Sequence, residues 1–122
     1  GDGGSTPSGS FTAVQKIGGT DNIEKVIFGQ ITPDTNITEL KIIVTPSGDS
    51  SITFTPTFTD GVVDFTPSPT TGLDLKYVDL ANDGKISVGD YLEISGCETG
   101  TYTVSMVFTE TGDLIDDISF TY

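Results

Sequence analysis

The chain has 122 residues, with 18 Asp and Glu against 5 Lys and no His, which gives a formal net charge of −13 at pH 7. This length predicts one domain that folds without disulfides, and the single cysteine excludes an internal disulfide and multi-cysteine zinc sites. The negative charge repels phosphate backbones, and the lack of His removes the commonest general base, so neither nucleic-acid binding nor triad catalysis is expected.

The chain opens with the Gly- and Ser-rich segment GDGGSTPSGS, residues 1–10. Such a composition is typical of flexible linkers. We therefore expect residues 1–10 to form a flexible linker and residues 11–122 to form a single domain. The sequence contains neither an apolar run of about eighteen residues nor a signal-peptide pattern. Attachment to a membrane is expected only through an N-terminal anchor outside these residues.

From Phe11 onward, short runs rich in Thr, Val, Ile and Phe alternate with turns that contain Gly, Pro, Asn or Asp, which predicts many short strands. The segment TYTVSMVFT, residues 101–109, alternates most strictly between apolar and hydroxyl side chains. SITFTPTFT, residues 51–59, has the same period, but Pro56 has no N–H for a ladder, which predicts an edge strand or a bulge. The nine predicted strands are 11–17, 24–31, 39–45, 51–59, 62–66, 74–78, 91–95, 101–109 and 118–122.

Nine short strands at this spacing predict an all-β fold, an antiparallel β-sandwich of the immunoglobulin-like kind. One face of the strand at 101–109 should lie in the core, with Thr101 and Thr103 on the opposite face. A slip of one residue would exchange the two faces, so the prediction is specific. The expected core residues are Phe54, Tyr102, Val104, Met106, Phe108 and Phe120.

Asn36-Ile37-Thr38 is an N-glycosylation sequon between Pro33 and the strand predicted to start at residue 39. A loop would present Asn36 there, which makes glycosylation of Asn36 a hypothesis. A chain rich in Thr also produces such triplets by chance. Together with the acidic, Thr-rich composition, the sequon favours an extracellular location at the cell surface.

The stretch DLANDGKISVGDYLEI, residues 79–94, has the spacing of a twelve-residue calcium loop that runs into a strand. Such loops need side-chain oxygens at positions 1, 3 and 5, a glycine at 6, a carbonyl at 7 and a carboxylate at 12. The ligands in this register would be Asp79, Asp83, Lys85 through its carbonyl, Ser87 and Asp90. Position 3 is Ala81, so calcium is expected to bind weakly, at the millimolar end of the usual range.

The same stretch has a second interpretation as a turn. The triplet Asn82-Asp83-Gly84 favours a turn, because these residue types tolerate the positive φ angles of tight turns. Acidic turns on a protein of net charge −13 do not require a metal ion. The sequence leaves both interpretations open.

Two further features carry weaker signals. Cys97 lies at a strand end in SGCETG, where a buried small apolar residue is the default interpretation and an intermolecular thiol the alternative. Asp113, Asp116 and Asp117 form an acidic turn that is expected to be a solvated bend rather than an ion site.

Three segments together resemble the extracellular domains of archaeal type IV pilin-like proteins. They are KIGGTDNIEKVIFGQITPDT (16–35), NDGKISVGDYLEI (82–94) and YTVSMVFTETGDLIDDISF (102–120). In that family a Gly-Gly segment precedes the first strands, a Gly-Asp opens a later strand and a Gly-containing turn joins the last two strands. The resemblance implies a filament subunit whose N-terminal hydrophobic helix packs in the filament core, with an often glycosylated head facing the medium. This sequence departs from that pattern because the cleavage site and the helix are missing.

The expected function is that of a cell-surface structural protein, the exposed head domain of a type IV pilin-like filament subunit. Its partners would be copies of itself or other surface proteins, and calcium is the one possible cofactor. The alternative is a surface-anchored binding or adhesion module with a calcium-stabilised loop. The absence of Trp speaks against a sugar-stacking platform. An enzyme is not expected, because no two carboxylates stand in a recognisable catalytic context.

Overall fold

Alternating apolar and polar residues build nine strands in the computed structural model, which describes residues 5–122. The strands are β1 (Ser8–Gly18), β2 (Ile23–Thr32), β3 (Leu40–Pro46), β4 (Ile52–Thr59), β5 (Val62–Ser68), β6 (Asp74–Val78), β7 (Tyr91–Ser95), β8 (Thr101–Phe108) and β9 (Leu114–Thr121). A short 3₁₀ turn, Ile37–Glu39, lies between β2 and β3. Each of the nine predicted strands is present, and only their ends differ. No helix in the described part of the chain has the length and apolar character that crossing a membrane requires.

The strands form two antiparallel sheets that pack face to face. The four-stranded sheet has the order β1-β2-β7-β6, and the five-stranded sheet has the order β5-β4-β3-β8-β9. This is the strand order of a variable-type immunoglobulin domain, in which two extra strands extend one sheet. The predicted immunoglobulin-like antiparallel β-sandwich is therefore confirmed.

The core lies between the inner faces of the two sheets, as the period-two pattern predicts. The six predicted core residues are all buried, from Val104 and Met106 at 0% exposure to Phe108 at 6%. Thr101 and Thr103 lie on the outer face of β8, where Thr101 is exposed and Thr103 is half-buried. The face assignment of β8 is therefore confirmed.

The sheet tolerates Pro56 inside β4 because the pairing of β4 with β3 ends before this residue. β4 is an internal strand of its sheet, but its register with β3 runs only from Ile52 to Phe54. Pro56 pairs with Phe65 of β5 on the other side. The missing N–H of Pro56 therefore falls where the described ladder to β3 has already ended.

A tyrosine corner stabilises the start of β8, and the fold needs no disulfide. The Tyr102 hydroxyl accepts a hydrogen bond from the Glu98 N–H (2.8 Å) and donates one to the Glu98 carbonyl (3.1 Å), and its ring stacks on Phe120. Cys97 is fully buried, and its thiol donates to the Ile94 carbonyl at 3.5 Å. Burial raises the pKa of the Cys97 thiol to about 11, which suits a small apolar residue rather than a reactive thiol.

The domain starts earlier than the sequence predicts. β1 begins at Ser8 and pairs with β2 from its first residue, and the Thr6 hydroxyl donates to Asp113 Oδ2 at 2.7 Å. The prediction of a flexible linker over 1–10 is therefore wrong for the residues from Ser8 onward, because their backbone groups belong to a sheet. Residues 1–4 of the predicted linker lie outside the described residues.

The β1–β9 seam, where the edge strands β1 and β9 meet, is closed by a carboxylate. Asp116 Oδ2 accepts the Phe11 N–H at 2.8 Å and so joins the two sheets. The expectation of a solvated bend is wrong at Asp116 and Asp117, since both lie in β9, which starts at Leu114. A register shift after Met106 brings Asp116 opposite that core residue. Sequence spacing alone does not reveal a partner on β1.

Glu24 is an acidic residue on the inner face of β2. It lies opposite Ile94 and is 3% exposed, and its Oε1 atom has no hydrogen-bond partner in residues 5–122. Burial raises the pKa of Glu24 above its ordinary value, and the positive charge of Lys16 opposes this shift. The charged form of Glu24 therefore costs folding free energy at neutral pH.

We expect Glu24→Gln to increase the free energy of unfolding at about pH 7, by roughly 1 kcal/mol. The folded chain binds the Glu24 proton more tightly than the unfolded chain does. The parent therefore loses stability as the pH rises from the ordinary pKa of Glu24 through its raised pKa. Melting temperatures of the parent and the variant from about pH 4 to pH 8 measure the difference in stability. The variant should melt at a higher temperature than the parent near pH 7 and at the same temperature near pH 4. Glu93→Gln, on the outer face, is the control, and an advantage of Glu24→Gln that is equal at both pH values would contradict the prediction.

Candidate functional site

The predicted calcium loop connects β6 to β7 and docks onto β2. The Phe28 N–H donates to the Asp90 carbonyl (2.8 Å), and the Gly89 N–H donates to the Phe28 carbonyl (3.0 Å). Ile86, which is 4% exposed, inserts its side chain into the core, and its N–H donates to the Thr35 carbonyl (2.9 Å). The loop is therefore anchored on both sides by backbone hydrogen bonds and by one apolar side chain.

Asp90 holds the loop together from within. Its carboxylate is 1% exposed and accepts three hydrogen bonds, from the Leu80 N–H (3.0 Å), the Ser87 N–H (2.9 Å) and the Tyr77 hydroxyl (3.0 Å). Burial, together with the hydrogen bond to Asp90, raises the pKa of Tyr77 well above its ordinary value. The phenol therefore stays protonated and remains a donor to the buried carboxylate.

Asp79 and Asp83 serve the turn at the exposed end of the loop. The two oxygens of Asp79 accept the Asn82 N–H (3.0 Å) and the Gly84 N–H (2.8 Å), and Asp83 Oδ1 accepts the Lys85 N–H (3.0 Å). Asn82 and Gly84 both have positive φ, 54° and 78°. These are the features that the turn interpretation predicts.

The predicted calcium ligands are used in other ways in this structure. No group of three or more Cys, Asp or Glu side chains in residues 5–122 is placed to hold a metal ion. The Lys85 carbonyl oxygen lies 3.4 Å from the Tyr77 hydroxyl, whose proton points to Asp90 at the shorter distance, and the Lys85 ammonium pairs with Asp34 at 3.1 Å. Ser87 takes part through its backbone N–H. The geometry supports a turn, and calcium binding stays a prediction.

Asn36, the predicted glycosylation site, caps the 3₁₀ turn. Its Oδ1 accepts the N–H and the hydroxyl of Thr38, while its own N–H donates to Glu39 Oε2 at 2.8 Å, which completes a capping box. Asn followed three residues later by Glu is a signature of such a cap, and the sequence interpretation missed it. Asn36 is half-buried, and glycosylation of Asn36 stays a prediction.

A groove between the two sheets is the second candidate site. It has a volume of about 860 Å³ and lies between the β4–β5 hairpin and β6 with the start of the loop. We call it the β5–β6 groove. Its apolar and aromatic lining is formed by Ile37, Phe58, Val62, Val63, Phe65, Leu75, Tyr77 and Val78. Its charged lining residues are Asp64, Asp74, Lys76 and Asp79. The sequence interpretation did not find it, because strand patterns do not reveal which edges face each other.

We expect Asp90→Asn to destabilise the domain by about 2–3 kcal/mol, because an amide N–H would face backbone donors that the carboxylate now satisfies. A loss of this size lowers the melting temperature of a domain of this length by about 10 °C. Thermal unfolding measures the change, and Asp83→Asn, which alters one exposed turn hydrogen bond, is the matched control. Equal melting temperatures for the two variants would contradict the structural role of Asp90.

The calcium hypothesis has a separate test. A ligand that binds only the folded state adds RT ln(1 + [L]/Kd), so a Kd of about 1 mM and about 10 mM Ca²⁺ would add about 1.4 kcal/mol, or about 3–6 °C in melting temperature. Mg²⁺ controls for general screening of the negative charge. The calcium interpretation fails if the parent shows no difference between Ca²⁺ and Mg²⁺, or if Asp83→Ala preserves the difference.

Comparison of the chain with protein-family models, curated proteins and solved structures found no match in any of the three. The fold, the loop and the groove are therefore the features from which a function must be inferred.

Proposed function

We propose that this domain is the exposed head of a type IV pilin-like filament subunit, a structural protein of the cell surface. The observation that supports this proposal most directly is that the loop carboxylates accept hydrogen bonds from within the chain. Asp90 accepts three hydrogen bonds and Asp79 accepts two, all from the chain itself. Carboxylates that fix the shape of a loop suit a domain whose task is to keep its form.

The outer face of the five-stranded sheet also supports an exposed structural role. It carries hydroxyl side chains that pair at 2.8–3.0 Å, namely Thr101 with Thr121 and Thr103 with Ser119 across β8 and β9, and Thr45 of β3 with Ser51 just before β4. β-branched hydroxyl residues favour strands and tolerate solvent on one face. With a net charge of −13, such a surface keeps a domain soluble in the surrounding medium.

The resemblance to archaeal pilin-like proteins supplies the filament part of the proposal. A hydrophobic N-terminal helix outside these residues would pack in the filament core and attach the subunit to the membrane before assembly. Copies of the same chain are then the main partners, and the domain is extracellular. Glycosylation of Asn36 belongs to the same proposal.

The β5–β6 groove favours a second candidate function, a surface-anchored binding or adhesion module. In variable-type immunoglobulin domains, loops at one end of the sandwich bind the ligand. Here the 3₁₀ turn after β2 and the turn between β4 and β5 are the corresponding connections, and Asn36 and Gly61 from these turns line the groove. This likeness is at the level of the fold alone. Calcium, if it binds, would stiffen the neighbouring loop.

Immunogold electron microscopy of cells that naturally produce the full-length protein tests the proposal, with an antibody raised against residues 5–122. We expect label along surface filaments, loss of those filaments when the gene is deleted, and recovery when the full gene is restored. A deletion strain probed with the same antibody is the control for specificity. Label spread evenly over the envelope without filaments would favour the binding module, and label inside the cell would contradict both functions.

A further inference from the structure

The β4–β5 hairpin extends beyond the strand that faces it. β4 and β5 have 8 and 7 residues and turn through Asp60-Gly61, both at positive φ, whereas β6 has only 5 residues. β6 packs against β5 at the edge of the smaller, four-stranded sheet. The half of the hairpin near Asp60-Gly61 therefore extends past the end of β6, and we call it the projecting half.

The inner face of the projecting half carries apolar residues, as the core face of a strand does. The inner-face pairs along the hairpin are Phe54 with Pro67, Pro56 with Phe65, and Phe58 with Val63. Phe54 is 1% exposed and Phe65 is 9% exposed, but Phe58 at the far end is 65% exposed. The outer face of the same strands is mostly Thr, so Phe58 stands on the side that the strand alternation assigns to the interior. Phe58 therefore continues the apolar lining formed by Val63 and Phe65 to the open end of the β5–β6 groove.

The strands beside this face have free edges. β5 and β6 are terminal strands of their sheets, and their outer edges have no ladder partner in residues 5–122. The N–H and C=O groups of such edges accept an added strand, which is a common mode of peptide recognition. A strand added to β6 would extend the four-stranded sheet to five and lie over the projecting face.

The charges of the groove restrict the chemistry of the occupant. Three acidic residues, Asp64, Asp74 and Asp79, lie along it against one basic residue, Lys76. The alternation of β5 and β6 turns Asp64, Asp74 and Lys76 toward the outer faces, so their charges lie at the rim of the groove. A basic strand is attracted to this lining, whereas a second copy of a chain with net charge −13 is repelled. The exposed Phe58, with the half-buried Val63 opposite it on the inner face, requires apolar side chains on the inward side of the strand.

We propose that the β5–β6 groove binds an extended segment of a partner protein with alternating apolar and basic residues, which pairs with β6 and covers Phe58. A segment of about five residues matches the length of β6, and apolar side chains on alternate residues point into the groove. Basic side chains on the other residues lie near the carboxylates at the rim. This proposal does not depend on the proposed function, because a filament head and a surface-anchored module would both bind the same partner segment.

Titration of the ¹⁵N-labelled domain with a blocked synthetic peptide, Lys-Val-Lys-Val-Lys-Val-Lys, tests the proposal by NMR. We expect saturable shifts of the amides of β5 and β6 and slower hydrogen exchange in β6. A peptide of the same composition in block order, four Lys followed by three Val, has equal charge but no alternation. It should bind about tenfold more weakly, because it presents apolar side chains to the groove at fewer positions.

Two matched variants separate apolar contact from charge. Phe58→Ser should weaken binding of the alternating peptide about tenfold, and Leu114→Ser, at a residue of similar exposure outside the groove, should leave it unchanged. Equal binding of both peptides, shifts spread over the acidic surface, or no saturable binding would each overturn the proposal. Self-association of the domain through β6 in sedimentation experiments would overturn it too, since the occupant would then be a second copy.

Discussion

A buried carboxylate, that of Asp90, holds together the parts of the sandwich on which both candidate sites depend. Its side chain joins the end of β6 to the loop, and its backbone carbonyl binds β2 through Phe28. A buried carboxylate is tolerated only where hydrogen bonds replace the lost water, and Asp90 accepts three of them. Because Tyr77 and Asp79 also line the β5–β6 groove, the same anchor shapes one wall of that groove.

The acidic residues of this chain are used for different purposes in different places. Asp116 closes the β1–β9 seam, Asp79 and Asp90 fix the loop, and Glu24 is buried with an oxygen that finds no partner among the described residues. The first three contribute stability through charge-assisted hydrogen bonds, and the last costs stability at neutral pH. Net charge alone therefore says little about where the acidic groups act.

The two sides of the sandwich differ in a way that bears on function. The β1–β9 seam is closed by a hydrogen bond between the Phe11 N–H and Asp116, whereas the opposite side opens into the β5–β6 groove. Phe58 is exposed at that open side, next to two strand edges that have no ladder partner in residues 5–122. An apolar surface combined with unpaired backbone is a recognition surface, in a filament head as in a binding module.

The sequence by itself determined the nine strands and the inward face of the strand at 101–109, and it gave burial as the default interpretation of Cys97, because side-chain alternation and turn chemistry are local properties. It also offered a turn at Asn82-Asp83-Gly84, whose residue types tolerate positive φ, as one of two interpretations. Only the tertiary structure decided which donors each carboxylate meets, since Asp116 binds an N–H that lies 105 residues away in the chain. The same holds for the groove, which exists because a short β6 faces a longer hairpin. Strand length and pattern do not specify which strands become neighbours across the two sheets, and that pairing placed Phe58 at a core position without cover.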